Sequence, residues 1–373
     1  MRCVLHGTVV LVILFAIAAH GGEAKPGKGS SEDLFIVPID VSCLTPPIAF
    51  KAGGRWNLAY ELRIASQADK GDITIASMDV LDGNHKALVR ESGKSLEVAG
   101  YSAEALTLKP RTYTTVFMWI SASSFEEIPA VLRHTITVKS SDGTQSTDTP
   151  AIEVDRRSVL IIDPPLRGDH WVAANGPSNN SAHRRAILPL DGRSYIGQKY
   201  AIDWAQTSAD GPLYHGDKLD NRSYRGYGQP IYAVADGTIT ETKDGIPENV
   251  PDLTARAVTI TLDTVAGNHV IEKIGDRAYA TYAHLQPGSL KVKVGEQVKR
   301  GQVLGLVGNS GNSTAPHLHF QLCDANSVLE CNGIPYAFSS FEWVPKENNK
   351  PGTPQKRENE MPMEDDVVNF PQP

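Results

Sequence analysis

The sequence predicts an all-β protein. An N-terminal immunoglobulin-like β-sandwich over residues 25–155 precedes a second β-rich region over 156–345. Three observations carry this prediction. Gly 32 and Pro 24 stand against 7% aromatic residues, a balance that favours turn-rich β architecture over a helical bundle. Apolar and polar residues alternate with period two along several runs of the first half. No sustained helical period interrupts them. The 373 residues suit two domains, and 40% hydrophobic content supports a packed core. The formal net charge of -7 argues against nucleic acid as a partner, because phosphate binding needs clustered Lys and Arg.

Residues 1–24 read as a secretion signal. Arg2 supplies a positive start, Val9 to Ala19 an apolar stretch, and Gly22 and Ala24 a small-x-small cleavage site. The stretch is short for a bilayer span, which takes about 20 apolar residues. A secreted or periplasmic location follows as an expectation. In such an oxidising compartment Cys323 and Cys331 can staple one local loop, leaving Cys43 over, buried or free. Residues 25–33 read as a linker.

The sandwich strands are then Asn57-Leu-Ala-Tyr-Glu-Leu-Arg-Ile, Ile73-Thr-Ile-Ala-Ser-Met, Tyr113-Thr-Thr-Val-Phe-Met-Trp-Ile and Leu132-Arg-His-Thr-Ile-Thr-Val. Each is expected half-buried, with turns at Asp82-Gly83 and Asp142-Gly143. His85 and His134 stand alone in this half and read as structural or solvated. Residues 346–373 are rich in Lys, Glu, Asn, Pro and Gln, a composition that predicts a disordered tail.

The histidines concentrate in the second region: His170, His183, His215, His269, His284, His317 and His319. Pro316-His-Leu-His-Phe follows a turn-rich run. If it is a strand, alternation puts His317 and His319 on one face and Leu318 and Phe320 on the other. His284 ends an alternating run before Pro287-Gly288. Asp203 sits within the apolar run Tyr200-Ala-Ile-Asp-Trp, where a carboxylate needs a partner or a metal. His269 reads as solvent-facing. No His-Glu-x-x-His helix, Gly-x-Ser-x-Gly elbow or phosphate-cradling loop occurs.

Taken in order, these pieces carry a resemblance. Asp203-Trp, Tyr232-Ala-Val-Ala-Asp-Gly, Tyr282-Ala-His-Leu, Val294-Gly-Glu-Gln-Val-Lys-Arg-Gly, Gly308-Asn-Ser-Gly and Pro316-His-Leu-His-Phe resemble the lysostaphin-type zinc metallopeptidases. These are bacterial cell-wall endopeptidases of mostly antiparallel β-fold. The resemblance covers residues 180–345 and leaves out the N-terminal half. It implies one zinc ion, held by the His and Asp of an early His-x-x-x-Asp motif and by the second His of His-x-His. Asp203 and His319 match two of these ligands. His284 and His317 match two non-ligand catalytic histidines.

The sequence departs from the pattern where the early His should stand. Lys199 occupies that position, and Ala201 replaces the usual Gly. A protonated amine is a poor zinc ligand. His183, in Ser181-Ala-His-Arg-Arg, is the first replacement candidate, because a hairpin at Asp191-Gly192 can return it beside Asp203. His-Arg-Arg ahead of Ala-Ile-Asp-Trp also resembles one branch of the family. His215, His170 and no third protein ligand are the alternatives.

The resemblance implies a secreted zinc endopeptidase that hydrolyses peptide bonds in peptidoglycan stems or cross-bridges. One of His284 and His317 would accept a proton from water. The other would stabilise the oxyanion or protonate the leaving amine. The altered motif also permits a catalytically inactive cell-wall adaptor of the same fold. A phosphate-carrier domain with paired histidines fits poorly with a secretion signal. Tyr282 and Asn309 are candidate cleft residues.

Overall fold

The four runs read as sandwich strands are strands, each part of a longer one. The computed structural model describes residues 37–372 apart from 101, 103, 209, 210, 348 and 349. In it the four are Arg55–Ser66, Ile73–Asp82, Tyr113–Ala122 and Val131–Ser140. The expected secretion signal (1–24) and linker (25–33) lie outside the described residues. Turns at the two Asp-Gly pairs join Ile73–Asp82 to Ala87–Ser92 and Val131–Ser140 to Gly143–Asp148.

These strands make two sheets. One holds Ile39–Cys43, Ala49–Ala52, Arg55–Ser66 and Tyr113–Ala122; the other is built on Ile73–Asp82 and Val131–Ser140. Leu58, Tyr60 and Leu62 from the first share an apolar core with Ile75, Met78 and Ile136 from the second. His134 lies in this core, its Nε2 2.8 Å from the Tyr60 hydroxyl, and burial lowers its pKa to about 4.

The half-buried expectation fails on Arg55–Ser66. Leu58, Tyr60, Leu62 and Ile64 face the core just described. The opposite face, which alternation gives to Asn57, Ala59 and Glu61, is covered by the second half of the chain. Phe50, Ala52 and Ala59 pack in one cluster with Trp171, Tyr200, Trp204 and Phe338. Packing therefore runs across residue 155, and the described chain from Val37 onward forms one compact unit.

An eleven-stranded sheet dominates the second half. Tyr336–Val344, Val367–Phe370, Gly168–Ala174, Ile202–Gln206, Leu318–Cys323, Ala278–Leu285 and Asn268–Gly275 lie side by side in that order, each antiparallel to the next. Leu160–Ile162 adds one parallel pairing with Tyr336–Val344. Cys323 and Cys331 form a disulfide that closes a short loop after Leu318–Cys323, and Cys43 is free.

The disordered-tail expectation for 346–373 is overturned. Gln355–Glu360 pairs with Tyr336–Val344, and Val367–Phe370 is inserted within the large sheet. Composition misleads here because a few apolar residues stand in the right places. Met361, Val368 and Phe370 are buried in the main cluster. Phe370 meets Trp204, the neighbour of Asp203, edge to face at 5.0 Å. The backbone of 364–366 also bonds to Pro177 and Ala173, bracing the segment that leads to the site. Phe370→Ala should cost about 3–5 kcal/mol through cavity formation. Urea titration reads this as a lower midpoint, and an unchanged midpoint would contradict the placement.

Candidate metal centre

The site forms where neighbouring strands set side chains opposite one another. Asp203 on Ile202–Gln206 is the direct partner of His319 on Leu318–Cys323, and His319 is the direct partner of Ala283 on Ala278–Leu285. Directly opposed residues on antiparallel strands project to the same face. Leu318 and Phe320 point the other way and are fully buried, as alternation requires.

His284 needs a further device. It follows Ala283 and would by strict alternation face away from His319. The pairing between Ala278–Leu285 and Asn268–Gly275 slips between Asn268 and Val270, and His284 adopts φ 67°. Such a bulge re-aims a side chain, and both Ala283 and His284 line the same cleft. Ser310 holds the re-aimed ring, its carbonyl accepting from Nδ1 at 2.8 Å. Gly311 permits this loop: its φ is +75°, and a Cβ there would lie 2.3 Å from the Gly267 nitrogen.

His183 arrives on the single helical turn Ala182–Arg185. The expected hairpin at Asp191-Gly192 is present, pairing Leu188–Leu190 with Arg193–Tyr195. Among the described residues, His183, Asp203 and His319 are the group of three whose ligand-type atoms converge, within 4.8 Å of one another. His170 and His215 lie outside that group. His170 opens onto another groove with Val172 and Thr207, and His215 is in a loop whose backbone bonds to Ser223.

The hydrogen bonds fix which ring nitrogens face inward. His183 donates from Nδ1 to the Asn175 carbonyl at 3.1 Å, and His317 from Nδ1 to the Ala315 carbonyl at 2.8 Å. His183 Nε2 then stands 3.3 Å from Asp203 Oδ2, and His317 Nε2 stands 3.4 Å from Oδ1. His319 is oriented the other way round. Gln321 donates from its amide to the Val328 carbonyl at 2.9 Å, which turns its own oxygen toward His319 Nε2 at 2.9 Å. Nε2 therefore carries the proton. Nδ1 presents a lone pair to Asp203 Oδ1 at 2.8 Å. Asn175 donates to the other carboxylate oxygen at 2.9 Å.

Lone pairs and carboxylate oxygens thus face one another at hydrogen-bonding distance. Such a set is stable only around a proton or a cation. Two imidazoles and one carboxylate, with the rings oriented by outer hydrogen bonds, are a donor set that zinc favours. The residues present therefore fit the metal.

Charge in the site is uneven. Burial would raise the Asp203 pKa, but His317 and His183 outweigh it and hold the carboxylate well below its ordinary range. Burial, then His317 and His319, hold His284 well below the usual imidazole value. Burial would also lower His317, but Asp203 reverses this and raises it. The cleft of about 340 Å³ is further lined by Gln198, Arg256 and Leu329. A larger groove of about 800 Å³, lined by Cys43 and Asp155 among others, lies away from these histidines and gathers no such set.

Three expectations need correction. His269 is buried, not solvent-facing, with Nε2 3.0 Å from Glu241 and Nδ1 2.9 Å from the Gly267 carbonyl. Tyr282 and Asn309 do not line the cleft. The Tyr282 hydroxyl donates to Glu272 at 2.6 Å inside the core, and Asn309 ties Asn221 to Ser313 beneath it. Sequence reasoning also missed Gln321 and Asn175. Gln321 was within reach, since it lies two residues after His319 on the same strand face. Nothing in the sequence marks Asn175.

Residues 223–330 match the family described as Peptidase family M23. The chain thus carries an M23, lysostaphin-type peptidase domain in its C-terminal half. That match spans His284, His317 and His319 and stops short of His183 and Asp203. The peptidoglycan DD-endopeptidase ShyA of Vibrio cholerae is 36% identical over 95 residues, 26% of this chain and 17% of that protein. The cell division protein DipM of Caulobacter vibrioides is 30% identical over 161 residues, 38% of this chain and 23% of that protein. Lysostaphin of Staphylococcus simulans is 58% identical over 40 residues, 11% of this chain and 8% of that protein. The matched stretch therefore spans less than a quarter of each of these relatives.

Gln321→Leu should leave the sheet intact and release His319 from its single tautomer. Long-range ¹⁵N–¹H correlation of the imidazoles should show Nε2–H at His319 in the wild type and a mixture in the variant. A mixture in both would contradict the orienting role.

Proposed function

We propose that the chain is a zinc-dependent endopeptidase that hydrolyses peptide bonds in peptidoglycan stems or cross-bridges. The observation that carries this reading is the convergence of His183, Asp203 and His319, with His284 and His317 beside them in one cleft. In this reading the first three hold zinc, and His183 takes the place of the absent early His. Zinc in a three-ligand site supplies Lewis acidity, which acidifies water and polarises a carbonyl.

The chain's own residues do the rest. His284, kept neutral first by burial and then by its neighbours, offers a lone pair at Nε2 and takes the proton of the attacking water. His317, whose proton affinity Asp203 raises, donates from Nε2 to the developing oxyanion or the leaving amine. The carbonyls of Ser310 and Ala315 keep both rings turned for these roles. Asn175 and Gln321 hold the ligand side chains in place.

The similarity to ShyA and lysostaphin supports a cell-wall peptide as substrate. We place the protein in the cell envelope, secreted or periplasmic. The N-terminal signal pattern and the Cys323–Cys331 disulfide support that location. No helix among the described residues is long and apolar enough to cross a membrane.

Metal analysis and digestion of purified sacculi test the reading. The wild type should bind zinc and release peptides with new amino termini, and His183→Ala should lose both. His284→Ala and His317→Ala should keep zinc and lose about 10²–10⁴-fold in turnover. A wild type that binds zinc but leaves sacculi intact would point to the inactive adaptor. A wild type that does neither would end the enzyme reading.

A further inference from the structure

The two segments that deliver His183 and Asp203 share one anchor, and it lies in the N-terminal half. Arg184 directly follows His183. Lys199 stands four residues before Asp203, in the turn that enters Ile202–Gln206. Both side chains are buried and converge on Glu61 of Arg55–Ser66, itself fully buried. Lys199 Nζ is 2.9 Å from Glu61 Oε2, and Arg184 Nη2 is 3.3 Å from Oε1.

Most of the remaining contacts come from the same half. Lys199 donates to the Thr45 hydroxyl at 3.0 Å, and that hydroxyl donates to Glu61 at 3.3 Å. Arg184 donates to the Met118 carbonyl at 2.7 Å and the Tyr60 carbonyl at 3.1 Å. Asn179 joins from the His183 segment, accepting from Arg184 and donating to the Phe117 carbonyl at 3.1 Å.

We propose that the N-terminal sheets are a positioning element of the metal centre, and that Glu61 is the positioning residue through which they act. This rests on the reading of His183, Asp203 and His319 as zinc ligands. One buried carboxylate pairs with two buried cations, so removing it would leave both of them uncompensated away from solvent. The two ligand-bearing segments are thereby fixed relative to each other through a third piece of chain.

The arrangement also accounts for the departure at position 199. The residue in the place of the usual early ligand reaches away from the metal and grips Glu61. The residue after the substitute ligand grips the same carboxylate. Ligand replacement and domain clamp are then one change. The N-terminal half, on this view, is part of the catalytic scaffold and not a separable wall-binding module.

The test uses the full chain. Zinc affinity by chelator competition, the visible spectrum of the cobalt-substituted protein, and the melting temperature are compared in wild type, Glu61→Gln and Met78→Ala. Met78 lies in the core between the two N-terminal sheets, so its truncation destabilises without touching the clamp. Glu61→Gln should weaken zinc binding by about tenfold or more, the range seen when groups that orient metal ligands are removed, and should shift the cobalt spectrum. Met78→Ala should lower the melting temperature with affinity and spectrum unchanged.

If Glu61→Gln fails to fold, Thr45→Val removes only the hydroxyl shared by Lys199 and Glu61. It should weaken zinc binding in the same direction by a smaller factor. Wild-type affinity in the folded clamp variant would overturn the proposal while leaving the metal centre standing. So would an equal loss in Met78→Ala. A wild type that binds no zinc would overturn both.

Discussion

Asp203 is the point on which the geometry turns. Its carboxylate faces three imidazoles, and outer acceptors orient the two of them that belong to His183 and His319. A carboxylate ringed by lone pairs is unfavourable in a buried setting unless a cation or shared protons sit among them. The fold supplies this arrangement through cross-strand pairing with His319, a bulge at His284 and a single helical turn at His183. Each device is local, yet the three must agree for the side chains to converge.

That agreement is held by outer contacts, which are spread over the whole described chain. Val328, in the loop closed by the disulfide, fixes the Gln321 amide, and the amide fixes the His319 tautomer. The C-terminal strand packs Phe370 on Trp204 beside Asp203. Glu61 ties the His183 and Asp203 segments to the N-terminal sheets. A buried three-charge cluster of this kind is a poor source of net stability, yet removing one of its members is costly. This suits a group whose role is placement.

Much of this was legible in the sequence. Period-two alternation identified the four long strands, because β-branched and aromatic residues at alternate positions leave the chain few other ways to bury them. The spacing of His317 and His319 gave their shared face. The Asp-Gly pair at 191–192 gave the hairpin that brings His183 back. What failed had a common cause, contacts between distant parts of the chain. Nothing local marks Glu61, one polar position on a strand read as half-buried, until the second half brings Arg184 and Lys199 to it. Residues 346–373 read as disordered until Val368 and Phe370 find a gap in the sheet. His269 reads as exposed until Glu241 pairs with it. Composition and local period carry no information about such partners.

The proposed chemistry depends on His183, Asp203 and His319 forming one metal centre. Anomalous diffraction at the zinc edge, on crystals of the purified full chain, tests it most directly. An anomalous peak should appear ligated by those three side chains, with His284 and His317 close by but not bound. A peak ligated by His170 or His215 in place of His183 would contradict it. So would the absence of any peak at Asp203.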